Sequence, residues 1–392
     1  MSPILDRGNW NRVRFGDVAD RSREQASQND GSIERYVAGG HFDAGAMKIT
    51  RYGEPEDGGM GSTFTYVFHP GQVLYVSASW YLRKVGVADF DGVVADKTYV
   101  LETRDPSVLD QRFLAWILLS DALHDYAAAQ STGSMNARLL WSTLSNFEFA
   151  LPPLDEQSRI ADLLWSFEEH DCALTELSKS LAVATNQYLS AQLGSGDKDI
   201  SEYADVLVGF AFPSSSFSRE KDSQSRLLVR GINVGVGATR WDDSDTVHWT
   251  ETLTERTEKF VLAAGDIVIP MDRPFTADGR LRWAQLGETE NGALLVQRVA
   301  RLRPHDDVGA SLIRAIVRSS PFQSALNLSL TGSFAPHLAH GDFVRYKFEA
   351  PASSVMALNL SKAESAEANV EIERRDLYSL RRSLMAEIFG EN

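Results

Sequence analysis

Apolar residues recur at every seventh position in two long stretches of the chain. In the first, Ile160, Phe167, Leu174, Leu181 and Tyr188 hold the phase, and 196 residues later Met356, Ala363, Val370, Leu377 and Leu384 hold it again. A seven-residue apolar repeat sustained over several turns predicts an α-helix with a coiled-coil stripe. Leu163, Leu177 and Ala184 supply the expected second position of the stripe in the first helix, and Ala366 and Leu380 in the second. Gly194 and Gly390 lie just past the two ends, where helices commonly stop. A helix of about 35 residues is roughly 50 Å long. The first helix is acidic, with Glu168, Glu169, Asp171 and Glu176; the second carries Arg374, Arg375, Arg381 and Arg382 beside its stripe. Opposite flanking charges set partner and orientation, so the helices are expected to pair with each other. The alternative is that each packs only on its own neighbouring unit.

The segments between the helices alternate short strand-like runs with amphipathic helices, and they do so twice. HPGQVLYVSASW at 69 resembles AAGDIVIPMDRP at 263, each a Gly turn followed by a β-branched strand. FDGVVADKTYVLE at 90 resembles ENGALLVQRVARLR at 290, and FLAWILLSDAL at 113 sits opposite LIRAIVRSSPF at an offset of 199. At the same offset, Thr132, Gly133, Ser134, Leu139, Phe149 and Pro152 meet Thr331, Gly332, Ser333, Leu338, Phe348 and Pro351. A repeat of this period predicts two copies of one plan. The expected domains are residues 1–152, a first globular unit; 153–194, a long helix; 195–351, a second globular unit; and 352–392, a second long helix. GSGDKD at 194–199 reads as the linker between copies. The fold class is α/β (α+β), two globular units alternating with two helices that pair as an antiparallel coiled coil, with pseudo-twofold internal symmetry.

Composition narrows the class. At 392 residues, 43% hydrophobic and 24% charged, the chain is too long for one ordinary core and has a globular balance. No apolar run approaches the roughly 18 residues that would span a bilayer. MSPILDRGNWNRVRFGD lacks an apolar core, so no signal peptide is expected. Cys172 is the only cysteine, which excludes internal disulfides and fits a reducing, cytoplasmic location. Lys and Arg number 39 and Asp and Glu 54, giving a net charge of −15. Taken alone, that argues against a nucleic-acid partner.

Catalytic signatures are missing from the sequence. It has no phosphate-binding G-x-x-x-x-G-K-[ST] loop, no Asn/Asp-Pro-Pro-aromatic tetrapeptide and no H-E-x-x-H. GINVGVGATR lacks dinucleotide-binding spacing. His337 and His340 have no acidic or cysteine partner at metal-ligand spacing, and Ser134 and Ser333 lack a nucleophile-elbow context.

Two globular units, each followed by a long helix, with LPPLDEQSRIADLL heading the first helix and paired TGS segments, resemble a type I restriction–modification specificity subunit. NWNRVRFGDVADR is similar to the usual entry into a target recognition domain, and GDIVIP with GSFAPHLAHGDF to pieces of a second one. The resemblance implies that each unit reads one half of a bipartite, asymmetric double-stranded DNA target, with the helices fixing the spacing. It implies no catalysis by this chain. Two modification subunits would methylate adenine, and restriction subunits could join; S-adenosylmethionine, ATP and magnesium would belong to those partners, with no cofactor on this chain. The second copy departs from the pattern, with PASSVM where the first has PPLDEQSRI.

Readout chemistry favours Arg, Lys, Asn and Gln at base edges, with hydroxyls on phosphates. Candidate DNA contacts are Arg83, Lys84, Lys97, Thr132, Ser134 and Arg138 in the first unit. In the second they are Arg230, Arg273, Arg280, Arg282, Thr331, Ser333 and His337. Leu151, Pro152, Pro153 and Gln157 are candidates for subunit docking. The acidic total keeps a second reading open: a scaffold of a related defence system that binds proteins and reads no DNA.

Overall fold

The computed structural model describes residues 7–27, 31, 33–43, 45–130, 137–222, 224–332, 336–350 and 353–390. The chain divides into two compact units. Unit 1 is Met1–Glu176 with Glu371–Asn392, and unit 2 is Leu177–Val370.

Unit 1 contains strands β1 (Asn11–Arg14), β2 (Ala19–Arg21), β3 (Lys48–Ile49), β4 (Val73–Val76), β5 (Val85–Ala88), β6 (Thr98–Thr103) and β7 (Glu148–Leu151). Its helices are α1 (Gln111–Leu119), α2 (Asp121–Gln130) and the first part of α3 (Leu154–Gln192). The main sheet has the order β2-β6-β4-β5-β3, antiparallel except for the last pair. Its central strands are apolar at successive positions because both faces are covered. Val73, Tyr75, Tyr99 and Leu101 face the helices. Leu74 and Val100 face a smaller sheet formed by Tyr36–Val37, Phe64–Phe68 and Gly92–Ala95.

Unit 2 contains β8 (Lys198–Asp199), β9 (Ala204–Val208), β10 (Val236–Gly237), β11 (Ile267–Pro270), β12 (Trp283–Gln285), β13 (Val299–Pro304) and β14 (Lys347–Phe348). Helices α4 (Asp307–Arg318) and α5 (Ser320–Leu328) follow β13, and α6 (Ser353–Phe389) begins in this unit. The sheet order β9-β13-β11-β12-β10 has the same sequence of antiparallel and parallel pairings as unit 1. Ile267, Ile269 and Leu302 face the helices; Val268 and Val299 face a second sheet. In both units the first strand pairs antiparallel with the strand just before a long helix, β1 with β7 and β8 with β14.

Each amphipathic helix expected after the long strand is two helices. α1 stops at Ser120 and α4 at Ser319, both buried. The hydroxyls bond back to the carbonyls of Ile117 (2.7 Å) and Ile316 (2.8 Å). A serine that satisfies itself locally competes with the helical ladder, and apolar spacing alone does not register that.

The long helices supply both cores. Ile160, Ala161 and Leu164 of α3 enter the unit 1 core with Ile388 of α6. Leu189 of α3 and Leu193 just past its end enter the unit 2 core with Met356 and Leu360 of α6. Within unit 1, Arg374 pairs with Asp171 at 3.0 Å and Arg381 with Glu168 at 3.0 Å, so the two helices run in opposite senses there. Of the expected stripe, Ile160, Leu174, Met356 and Val370 are buried, while Phe167, Leu181, Tyr188, Ala363, Leu377 and Leu384 are half-buried. The expected second position is corrected. Leu163, Leu177 and Leu380 are about half exposed, Ala184 is exposed and Ala366 half-buried; Leu164 and Glu168 are buried instead. Leucines at both 163 and 164 satisfy the periodicity equally, and only packing separates them.

The linker is also corrected. Lys198 and Asp199 form β8, and Glu349 N donates to Gly194 O at 2.8 Å. A Cβ on Gly196 would lie 2.4 Å from Phe348 O, so glycine there permits close backbone packing rather than a free tether.

Candidate nucleic-acid interface

In unit 1, three segments are bonded at the end of β4. Ser77 N donates to Lys97 O (2.8 Å), Leu139 N to Ser77 O (2.9 Å) and Ser79 N to Ala137 O (2.9 Å). Ala78 bridges Arg138. Unit 2 builds the same junction at the end of β11. Met271 N donates to Arg298 O (2.8 Å), Leu338 N to Met271 O (2.9 Å) and Arg273 N to Pro336 O (2.8 Å), and Asp272 bridges His337. By these bonds Lys97 corresponds to Arg298, Arg138 to His337 and Ser79 to Arg273.

The junctions are strained. Ser79 and Arg273 have φ of 51° and 47°, and Arg298 has 64°. A left-handed non-glycine residue costs about 1–3 kcal/mol, and such residues concentrate at functional sites. Four described non-glycine residues have positive φ, and three are arginines: Arg83, Arg273 and Arg298.

The side chains are cationic groups held by carboxylates and carbonyls. Arg138 donates to Ser77 Oγ (3.2 Å) and Asp96 O (2.8 Å), with the Asp96 carboxylate at 3.8 Å. Lys97 is exposed. Lys84 Nζ donates to Gly39 O at 2.6 Å, and Arg83 pairs with Asp121 at 2.6 Å. The Arg83 charge and, more strongly, burial lower the His124 pKa, which favours its neutral form. In unit 2, Arg298 pairs with Asp272 at 3.6 Å, and Arg280 with Asp278 at 2.7 Å. Thr331 and His337 are joined by two backbone bonds (3.1 and 2.9 Å) and an Oγ1–Nε2 contact of 3.1 Å. Thr132, Ser134 and Ser333 lie outside the described residues.

Two sequence candidates are structural braces. Arg282 donates to the carbonyls of Val234, Arg273 and Gly231, so it ties loops together. Burial, then the charge of Arg240, lowers its pKa. Arg230 donates to Asp245 O, and its Nε is buried. The candidate docking segment is mostly interior. Leu151, Pro152 and Gln157 are buried, and only Pro153 is exposed. Gln157 accepts from Asp110 N (2.9 Å) and donates to Val108 O (2.9 Å) and Pro152 O (2.8 Å), clamping the helix head to the turn before α1.

Arg298 was missed in the sequence. Lys97 lies five positions after Gly92 and Arg298 six after Gly292, so aligning the two turn glycines sets Lys97 opposite Gln297 and hides Arg298. Among the described residues, no group of three or more His, Cys, Asp and Glu could hold a metal ion. No described helix is long and apolar enough to cross a membrane.

Residues 8–182 match the type I restriction modification DNA specificity domain. The chain is 28% identical over 152 residues to the EcoDI specificity subunit of Escherichia coli, covering 39% of this chain and 33% of that one. It is 21% identical over 310 residues to the MjaVIII specificity subunit of Methanocaldococcus jannaschii, covering 73% and 70%. The match thus spans about a third of the first relative's length and over two thirds of the second's. A chain from a structure of type I R-M complex assembly aligns with TM-score 0.56 at 18% identity, over 98% of this chain and 99% of that one. A type I S subunit from M. genitalium aligns with TM-score 0.54 at 14% identity over 100% of both. At those identities the structural matches bear on fold alone.

Proposed function

The chain belongs to the type I restriction–modification specificity subunits, and on that premise we propose that it selects the DNA sequence on which a methyltransferase complex acts. Each unit reads one half of a bipartite, asymmetric double-stranded target. The long helices pair as an antiparallel coiled coil and set the distance between halves, and the two units are copies related by pseudo-twofold symmetry. The chain itself is non-catalytic and cytoplasmic and binds no cofactor. It recruits two adenine-methylating modification subunits, with restriction subunits where present.

The observation that carries this reading is the shared junction. Two units whose main sheets share one strand order each pin a short segment, residues 137–139 or 336–338, against a strained backbone, and each sets cationic groups there: Lys97 with Arg138, and Arg273 with Arg298. Rigid presentation of a few such groups serves base readout. The net charge of −15 is compatible with it, because backbone neutralisation dominates affinity and can come from partner subunits. The test is adenine methylation across the host genome, with the gene intact and deleted. Loss of one motif of two short blocks around a fixed gap is expected; an unchanged methylome with the modification subunit expressed refutes the reading. The carboxylates at the junctions, Asp96 and Asp272, favour the scaffold as second reading. It predicts binding to modification subunits without any salt-dependent DNA affinity of the complex.

A further inference from the structure

We propose that Arg298 is a specificity-determining residue of the second unit, a guanidinium oriented by Asp272 to read a guanine edge in that unit's half-site. The proposal rests on the DNA-reading function above. The chain places arginine, not glycine, at a backbone position with φ of 64°, so the side chain is kept despite a conformation glycine would adopt freely. The side chain is 60% exposed, and its Nη1 lies 3.6 Å from Asp272 Oδ1, a loose pairing that orients the group without consuming it. Its backbone is fixed on both sides. Arg298 O accepts from Met271 N, and Val299 pairs with Pro270 in the sheet. Arg273, left-handed as well, follows Asp272 directly, so two strained arginines lie beside one carboxylate where two neighbouring interior strands, β11 and β13, end and begin. A planar fork with five donors matches the O6 and N7 acceptors of guanine in the major groove, and no other base offers that pair. Arg298 contrasts with Lys97 at the matching junction of unit 1, where an ammonium is a point charge that cannot donate in a fixed fork. The two half-sites are therefore read with different stringency at this position.

The test uses the full chain in its methyltransferase complex, with genome-wide adenine methylation as readout. Arg298→Gly suits the left-handed backbone, so it removes the side chain without adding strain. Arg298→Lys keeps the charge. Both are expected to relax discrimination at one position of one half-site by about ten- to a hundred-fold, with the other half unchanged. Asp272→Asn, which acts through Arg298 as a positioning residue, is expected to relax the same position partially. An unaltered motif in both Arg298 variants overturns the proposal, as does methylation lost evenly at all sites, which marks a phosphate or assembly contact. Failure of the underlying function looks different: the wild-type complex then yields no bipartite motif.

Discussion

Arg381→Met tests how unit 1 holds its sheet against the long helices. Glu168 is buried, with its side chain 3% exposed, and Arg381 is 13% exposed at 3.0 Å from it. The other Glu168 oxygen accepts from Met47 N (2.6 Å) and Lys48 N (3.1 Å), at the start of edge strand β3. Arg381 also donates to Gly45 O at 2.8 Å. One carboxylate thus joins α3, α6 and β3. Removing the guanidinium leaves a buried carboxylate with two amide donors and no countercharge. Breaking a buried pair from one side costs about 3–5 kcal/mol, and the remaining amides place this case near the lower end. An opening free energy lowered by about 3 kcal/mol speeds exchange through that opening by roughly a hundred-fold. The assay is hydrogen exchange by mass spectrometry on the full chain, followed in peptides containing Met47 and Lys48. Glu168→Gln with Arg381→Met removes both charges while keeping an acceptor for the amides, so it is expected to recover most of the protection. Unchanged exchange in Arg381→Met, or a double variant as fast as the single, refutes the argument.

Gln157→Leu leaves Asp110 N and the carbonyls of Val108 and Pro152 without their partner, so it should cost about 2–4 kcal/mol in denaturant unfolding. A variant of normal stability that loses only modification-subunit binding would instead support the docking role. Leu174→Asp puts a charge at a buried position of α3 and should abolish methylation at the native spacing; retained bipartite methylation counts against the helices as a ruler. His69 bonds Asp91 (2.7 Å) and Glu24 (3.1 Å), and these partners, Asp91 first, raise its pKa. Its stabilising contribution is complete below the unfolded value and lost as pH rises through the higher folded value. Stability of unit 1 should therefore fall modestly over that window in wild type, and His69→Gln should remove the dependence.

Much of this architecture was legible in the residues. Gly71 and Gly265 each precede a β-branched strand, and both adopt positive φ before β4 and β11. The seven-residue phase of Ile160 through Tyr188 and Met356 through Leu384 marked two continuous helices, because apolar periodicity is a local property. The charge contrast named Asp171, Glu168, Arg374 and Arg381, which meet in unit 1. Other features depended on which atoms come together. Leu164 rather than Leu163 is buried because the unit 1 core takes one side of the helix, and Gln157 faces inward because the turn before α1 needs its amide. Arg282 is an exposed cation by composition and a carbonyl brace by packing. Arg298 became visible only through hydrogen bonds linking Met271, Pro336 and Leu338 to their neighbours. Periodicity and composition act along the chain and determine elements and their order. The use of each polar side chain depends on desolvation and partners contributed by distant segments, and those exist only once the tertiary structure has formed.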